Sequence, residues 1–183
     1  MTFLWILLGV VVILVLWIIG VFNALVKKIN RVKNAWSDID VQLKRRYDLV
    51  PNLVATVKGY KDYEASVLED ITEARARAMN DNGIASRAKA EDELSSAIQK
   101  FLALAEDYPD LKASENFRNL QEQLANLEND IQSARRYYNA AVREFNNAIQ
   151  IFPASLVAKM FNFKPKEFFG AEVGEKDTVA VTF

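Results

Sequence analysis

The stretch AWSDIDVQLKRRYDLVPNLV, residues 35–54, decides the fold, because its apolar residues recur at the spacing of a helix with one buried face. They alternate three and four residues apart, while the charged residues fall mainly on the other faces. A heptad repeat of this kind is typical of helices that pack side by side. Extended toward the N-terminus, the set forms a seam comprising Ile29, Val32, Trp36, Ile39, Leu43, Val50 and Leu53.

The repeat continues beyond this stretch, from Phe22 to Ala78, and two charged residues interrupt it. Arg46 and Glu64 stand where apolar residues are expected, and charges in such a seam commonly fix register or partner choice. Pro51 removes one backbone hydrogen bond and clashes with the carbonyl four residues earlier, so it predicts a kink. We therefore predict one long helix, bent at Pro51, from about residue 23 to residue 79.

An uncharged run of 20 residues, Phe3–Phe22, precedes the seam. As a helix it would span about 30 Å, the thickness of the hydrocarbon core of a bilayer. Trp5 and Trp17 lie toward its ends, where indole rings prefer the membrane interface. A cleaved signal peptide would have a basic start, a shorter apolar core and a small-residue cleavage site. The run therefore predicts an uncleaved transmembrane anchor.

A basic flank follows the run, formed by Lys27, Lys28, Arg31 and Lys33. By the positive-inside rule, these residues place the remainder of the chain in the cytoplasm and the N-terminus outside. They can also contact anionic lipid headgroups. The chain is predicted to cross the membrane once.

The remaining sequence alternates helical patterns with turn signals. A turn at 80–83 and a proline-bearing loop at 108–114 separate helices expected at 84–107 and 114–152, with Ser114 or Asp110 as a cap. A short amphipathic piece follows Pro153. The prediction is an all-α protein: a transmembrane helix (1–26) continuing into an antiparallel bundle of three long helices plus a short C-terminal helix (27–163), then a loosely held tail (164–183).

The expected lengths of the first and second helices do not match. The second helix is too short to cover all of the first, so the lower part of the first, about residues 25–50, lacks an obvious partner. We predict that its seam packs against the same helix in neighbouring chains, giving a homo-oligomer. The alternative is that the helix bends at Pro51 and packs against the third helix of its own chain.

The composition argues against catalysis. The chain has no histidine and no cysteine, which excludes the usual triads, thiol chemistry and most zinc sites. Its acidic residues are best explained as solvated helix faces. We expect no catalytic residues, no cofactor and no bound metal. The formal net charge of −1 gives no reason to expect nucleic acid as a partner.

An aromatic group near the C-terminus permits two interpretations. Its members are Phe152, Phe161, Phe163, Phe168 and Phe169. They can close the end of the bundle, or they can belong to an amphipathic segment that touches the membrane. The segment lacks a strong basic face, which favours the first interpretation.

Three long motifs resemble the LemA family of bacterial membrane proteins: AWSDIDVQLKRRYDLVPNLVATVKGY, YPDLKASENFRNLQ and ARRYYNAAVREFNNAI followed by FP. The resemblance covers nearly the whole chain. It implies a single N-terminal span and a helical domain of three long helices plus a short fourth. It implies no known catalytic activity, cofactor or active-site residues. The wider group includes a protein of magnetosome membranes, and a link with envelope stress and a membrane protease is suggested for relatives.

Two functional hypotheses follow. The first is a non-enzymatic, membrane-anchored scaffold that self-associates and organises or shapes the inner membrane. The second is an adaptor that recruits a membrane protease or a signalling partner such as a sensor. The lipid bilayer is the expected partner in both.

Overall fold

The computed structural model describes residues 2–58, 65–81 and 83–170. Six helices form within these ranges: α1 (Thr2–Val57), α2 (Ala65–Asn80), α3 (Ile84–Ala105), α4 (Pro109–Ala113), α5 (Glu115–Gln150) and α6 (Ala154–Met160). No strand occurs in the described ranges. The predicted all-α fold is confirmed, and α3, α5 and α6 lie where the sequence places them.

Helix α1 is a single element of 56 residues that includes the whole apolar run. It is the one helix of the described chain long and apolar enough to cross a membrane. The large side chains of the run, from Phe3 to Trp17, are exposed in the single chain. A helix satisfies its own backbone hydrogen bonds, so such a segment is stable in lipid. The apolar helix suits a membrane anchor.

The first helix ends earlier than the sequence pattern predicts. The predicted helix from 23 to 79 is two helices, because α1 ends at Val57 and α2 begins at Ala65. The two run antiparallel: the Arg75 side chain donates to the Tyr47 carbonyl, and the Tyr47 hydroxyl lies 3.3 Å from the Ala78 carbonyl. The heptad pattern survives this break because α2 buries Ile71, Ala74 and Ala78 in the core.

The described residues divide into two compact units. Unit 2 contains residues 38–135 and 168–170, and so includes the end of α1, all of α2, α3 and α4, and the first part of α5. Its α3 and α5 are antiparallel, since Ser95 pairs with Glu128 and Asp92 with Arg135. Its core is a layer of aliphatic and aromatic side chains that includes Leu43, Leu53, Leu94, Phe101 and Leu124.

Unit 1 contains residues 2–37 and 136–167. The end of α5 runs antiparallel to α1: Trp36 packs edge-on against Tyr138 with ring centroids 5.4 Å apart, and Lys28 lies 3.7 Å from Glu144. The residue numbers of facing pairs therefore sum to about 172–174. This register places the last turn of α5 level with the last turn of the apolar run.

After α6 the chain turns back along α5. Asn162 adopts a left-handed conformation with φ 56°, and the amide of Phe163 donates to the Ala158 carbonyl, which is the hydrogen bond of a Schellman cap. The amide and carbonyl of Lys166 then pair with the Asn146 side chain at 2.8 and 2.9 Å. The first residues of the predicted loose tail are thus held on α5; residues 171–183 lie outside the described residues.

The connection between α3 and α5 differs in detail from the predicted loop. Its proline starts the short helix α4, in which Leu111 is buried. Proline at the first helical position is favourable because its missing N–H needs no partner there. Ser114 caps α5 as expected, with its Oγ 3.5 Å from the amide of Phe117.

Candidate functional site

The most unusual group in the described chain is Arg46, which is 0% exposed in the core of unit 2. Its guanidinium donates to Glu128 Oε1 at 2.6 Å and to Ser95 Oγ at 2.7 Å, and it forms an ion pair with Glu91. A buried charge is tolerated only when opposite charges and hydrogen bonds replace water. Arg46 therefore ties α1 to both α3 and α5.

Tyr47 extends this network on the next residue. Its hydroxyl donates to Glu91 Oε1, and it lies 3.3 Å from the Ala78 carbonyl of α2. Burial, and then the hydrogen bond to Glu91, raise the pKa of Tyr47 well above its usual value. The phenol therefore stays neutral and acts as a donor. All four long helices of unit 2 meet at these two residues.

Arg46 stays charged. Burial opposes the charge on Arg46, but the carboxylates of Glu128 and Glu91 outweigh burial and raise the pKa of Arg46 above its usual value. Each carboxylate of the network is committed to side-chain contacts, and Glu91 is itself fully buried. This arrangement stabilises a specific packing of helices and leaves no nucleophile or base facing an open cavity.

Pro51 leaves a backbone carbonyl of α1 without its helical donor, and a side chain of α2 supplies one. Helix α1 continues through Pro51 to Val57. Since proline has no N–H, it cannot donate to the carbonyl four residues earlier, that of Tyr47. The Arg75 Nε fills this vacancy at 2.7 Å. The proline thus creates an acceptor on α1 to which α2 docks.

This geometry predicts energetic coupling between Pro51 and Arg75. We expect Arg75→Met to destabilise the full chain in detergent by about 1–2 kcal/mol, because a buried carbonyl loses its donor. In a Pro51→Ala background the new amide of residue 51 can donate to the Tyr47 carbonyl. Arg75→Met should then lower the free energy of unfolding by markedly less. Urea unfolding followed by circular dichroism measures both costs.

Arg77→Met is the matched control, because Arg77 lies on the same helix and makes only exposed ion pairs with Glu73 and Glu93. Its cost should be small in both backgrounds. Equal costs for Arg75→Met with and without the proline would show that the Arg75–Tyr47 contact does not replace the missing bond.

The predicted seam lies inside the chain. Val32, Ile39, Leu43, Val50 and Leu53 are buried, and Ile29 and Trp36 are half-buried. The prediction that this part of α1 has no partner in its own chain is therefore wrong. The reason is the length of α5, which runs 36 residues and packs its last turns against α1 within unit 1. In the single chain most of the seam belongs to the core, and its contact with a second copy stays a prediction.

The basic flank lies on the first turns of α1 after the apolar run, as predicted. Lys28 and Arg31 share Glu144 of α5, and Arg31 also donates to the Tyr137 hydroxyl at 3.1 Å. Lys27 and Lys33 are exposed. The other predicted register charge, Glu64, lies outside the described residues.

The partners of Arg46 were not identified from the sequence, although a signal exists. Glu91 precedes Leu94 by three residues and Ile98 by seven, so it stands on the buried stripe of α3. Glu128 follows Leu124 by four and stands beside the stripe of α5. Two acidic residues on apolar stripes and one arginine in a seam indicate a buried ion network. The sequence does not show that the three meet.

Unit 2 has open surface grooves. One lies between α2 and α3 and is lined by charged and small side chains, including Glu73, Arg77, Asp81 and Lys89. Among residues 2–58, 65–81 and 83–170, no cluster of three or more acidic side chains is arranged to hold a metal ion.

Comparison with known proteins gives a consistent result. Residues 35–183 match the protein family described as the LemA family. A protein named LemA from Metamycoplasma hominis is 28% identical over 159 residues, which cover 86% of this chain and 73% of that protein. The magnetosome protein MamQ of Magnetospirillum gryphiswaldense is 24% identical, over 81% of this chain and 64% of its own length. MamQ 2 of Paramagnetospirillum magneticum is 22% identical. None of these names is that of an enzyme.

Proposed function

Because the chain belongs to the LemA family, we propose that it is a non-enzymatic, membrane-anchored helical scaffold that associates with copies of itself and organises the bacterial inner membrane. Its relatives include proteins of magnetosomes, which is consistent with work at a membrane. The buried network around Arg46 supports a structural role, because its charged groups are used to join helices.

The observation that carries this proposal is the continuity of α1. The apolar run and the packed part of unit 1 are one uninterrupted helix, and the first buried residue, Leu25, follows the run within one turn. A domain joined in this way has no linker through which to search for distant partners. It holds a fixed relation to the bilayer that its anchor crosses.

The basic flank supports a cytoplasmic position for the helical domain, with the N-terminal end of the apolar run outside. Four cations follow the apolar run and no charged side chain precedes it. The chain is free of cysteine, so a single cysteine at the exposed Val41 can report the orientation. A membrane-impermeant maleimide should not label it in intact cells and should label it after lysis. Labelling in intact cells would reverse the proposed orientation.

Self-association must use surfaces other than the buried seam. The large side chains of the apolar run from Phe3 to Trp17 are exposed in the single chain, and we propose that they supply the contact between copies. A side chain added at Gly9 meets no atom within 4 Å, so cysteines at Gly9 and the three following positions sample every face of the helix. Oxidation of native membranes should give covalent dimers at one or two of these positions.

A cysteine at Ile39 is the matched control for this experiment, because Ile39 is fully buried in its own chain. It should give no dimer. If no position in the run gives a dimer, self-association through the anchor is wrong; a strong dimer at position 39 would show that α1 and its packing partners separate in the membrane.

The adaptor hypothesis rests on a different observation, the uneven distribution of charge. Unit 1 carries nine basic and two acidic side chains, a formal excess of seven positive charges, whereas the whole chain has a net charge of −1. The remainder is therefore strongly acidic and suits a basic partner, such as a basic segment of a membrane protease or sensor. A photocrosslinker at the exposed Met79 of α2 should capture a second protein if the adaptor hypothesis holds.

A further inference from the structure

Exposed apolar side chains are concentrated in one short segment, residues 151–161. Beyond the apolar run, eight large hydrophobic side chains of the described chain are exposed, and five of them lie in this segment: Ile151, Phe152, Leu156, Met160 and Phe161, which are 47–75% exposed. An apolar cluster of this density is uncommon on a surface that faces only water.

The segment includes α6, which has apolar residues on both faces. Val157 and Ala158 are buried against the rest of unit 1. Leu156 and Met160, four residues apart, share the opposite face, where a helix of a water-soluble domain normally carries polar residues. The buried face, with Val157 and Ala158, explains why α6 packs on unit 1. The outer face, with Leu156 and Met160, would need a second apolar environment to be covered.

The position of the segment identifies that environment. Phe161 packs against Phe22, the last residue of the apolar run, with ring centroids 4.6 Å apart. Phe163 lies 5.9 Å from the same ring. The antiparallel register of α1 and α5 independently places Gln150 opposite Phe22. Both observations put the exposed apolar side chains at the level where the run ends.

The charges around the segment suit a membrane surface. Residues 151–166 contain Lys159, Lys164 and Lys166 and no acidic residue, and all three lysines are exposed. The backbone of Lys166 is bonded to Asn146, which by the same register lies opposite Val26, about 6 Å above Phe22. Lys166 thus lies about one helical turn beyond the end of the apolar run, on the side where lipid headgroups would lie, and Lys159 is part of α6 itself.

We propose that residues 151–161 form a second membrane contact, inserted into the interface of the same leaflet in which the apolar run ends, with the three lysines at anionic phospholipid headgroups. This inference rests on the proposed anchoring by the apolar run. It adds a contact from the C-terminal half of the domain, so that α1 is not the sole attachment. Two attachments fix the rotation of unit 1 about the axis of α1.

The test uses the full chain in vesicles of phosphatidylcholine and phosphatidylglycerol, with one environment-sensitive fluorophore on a single cysteine. The test position is Leu156, the control in unit 2 is Val41, and the control for anchoring is Gly9. Lipids with a spin label near the headgroup end of the acyl chain quench fluorophores at the interface. We expect quenching at 156 to exceed quenching at 41 by a factor of about three or more, since interfacial helices lie about 5–10 Å into the boundary.

The outcomes separate the two proposals. Quenching at Gly9 by a deep spin label, with none at 156, overturns the second contact and leaves the anchor intact. No quenching at Gly9 overturns the anchor and the second contact together. A fluorophore at 156 that is shielded from water but not quenched would show that a protein, either a second copy or another partner, covers the segment, and this also overturns the inference.

A charged variant provides a second measurement. With the fluorophore at Phe152, the double change Leu156→Glu and Met160→Glu should abolish the quenching, because the outer face then repels the anionic surface. Both side chains are exposed, so unit 1 should remain folded, and circular dichroism checks this. Unchanged quenching in the charged variant would show that the segment does not insert through this face.

Discussion

Arg46→Met should destabilise the protein by about 3–5 kcal/mol, the usual cost of removing one partner from a buried ion network. The substitution leaves Glu91 with a buried carboxylate whose cation is gone, and the methionine cannot restore the hydrogen bond to Ser95. Much of unit 2 should loosen, because the lost group joins α1 to α3 and α5. Urea unfolding of the full chain in mild detergent, followed by tryptophan fluorescence and circular dichroism, measures the loss.

The neighbouring residue supplies a close control. Arg45 has the same chemistry one position earlier, but it is exposed, and its single side-chain hydrogen bond to Gln42 is 3.4 Å long. Arg45→Met should change stability by less than about 0.5 kcal/mol. If Arg45→Met and Arg46→Met lower the free energy of unfolding equally, the buried network stabilises the protein no more than a surface charge does.

A double substitution separates two contributions to the free energy of unfolding. One is the penalty of leaving the Glu91 carboxylate buried without a cation, and the other is the net stabilisation by the Arg46–Glu91 pair. Replacing Arg46 and Glu91 together by methionine and leucine removes both charges from the core. Apolar replacements of buried ion pairs are often neutral or stabilising. The double variant should therefore be more stable than Arg46→Met alone, although Tyr47 loses one acceptor. Additive costs would mean that Arg46 and Glu91 do not interact energetically.

The sequence shows an arginine in a seam, but not the residues it contacts. Periodicity is a local property, and it marks Arg46 as a position on the buried face because Leu43 and Val50 on the same face are apolar. Glu91 and Glu128 are 45 and 82 residues away, on helices whose rotation and height depend on all other core contacts. Pairing across a bundle is thus a property of the assembled fold, whereas burial on one helix is not.

The break between α1 and α2 shows a second limit. Heptad spacing continues from Val50 and Val57 to Ile71 and Ala78, and all four residues are buried. The pattern is equally satisfied by one long helix and by two antiparallel helices whose connection has the right length. The hairpin alone brings Arg75 to the carbonyl that Pro51 leaves free. A proline and an arginine 24 residues apart give no sign of this contact in the sequence.

The largest difference between prediction and structure concerns helix length. Helix lengths expected from the sequence leave the lower part of α1 uncovered, and the prediction of self-association rests on that gap. In the structure the last turns of α5 fill it within unit 1, through Tyr138 against Trp36 and Glu144 against Lys28 and Arg31. The apolar stripe is buried in the single chain, where α5 covers it near Trp36, and its contact with a second copy stays a prediction. A substitution in the stripe distinguishes the two assignments directly.

Ile39→Ala should lower the free energy of unfolding by about 2–5 kcal/mol, because it removes buried methyl groups and leaves a cavity in a core position with no exposure. Val41, two residues later on the same helix and 49% exposed, is the matched control, and Val41→Ala should cost less than about 0.5 kcal/mol. The decisive measurement is how the loss of unfolding free energy depends on the protein-to-detergent ratio. If Ile39 packs within its own chain, the loss is the same at every protein-to-detergent ratio. If it packs between chains, the cost changes with that ratio, since dilution in detergent already separates the copies. A cost for Ile39→Ala that vanishes on dilution would return the seam to the interface between copies and contradict the fold described for α1 and α5.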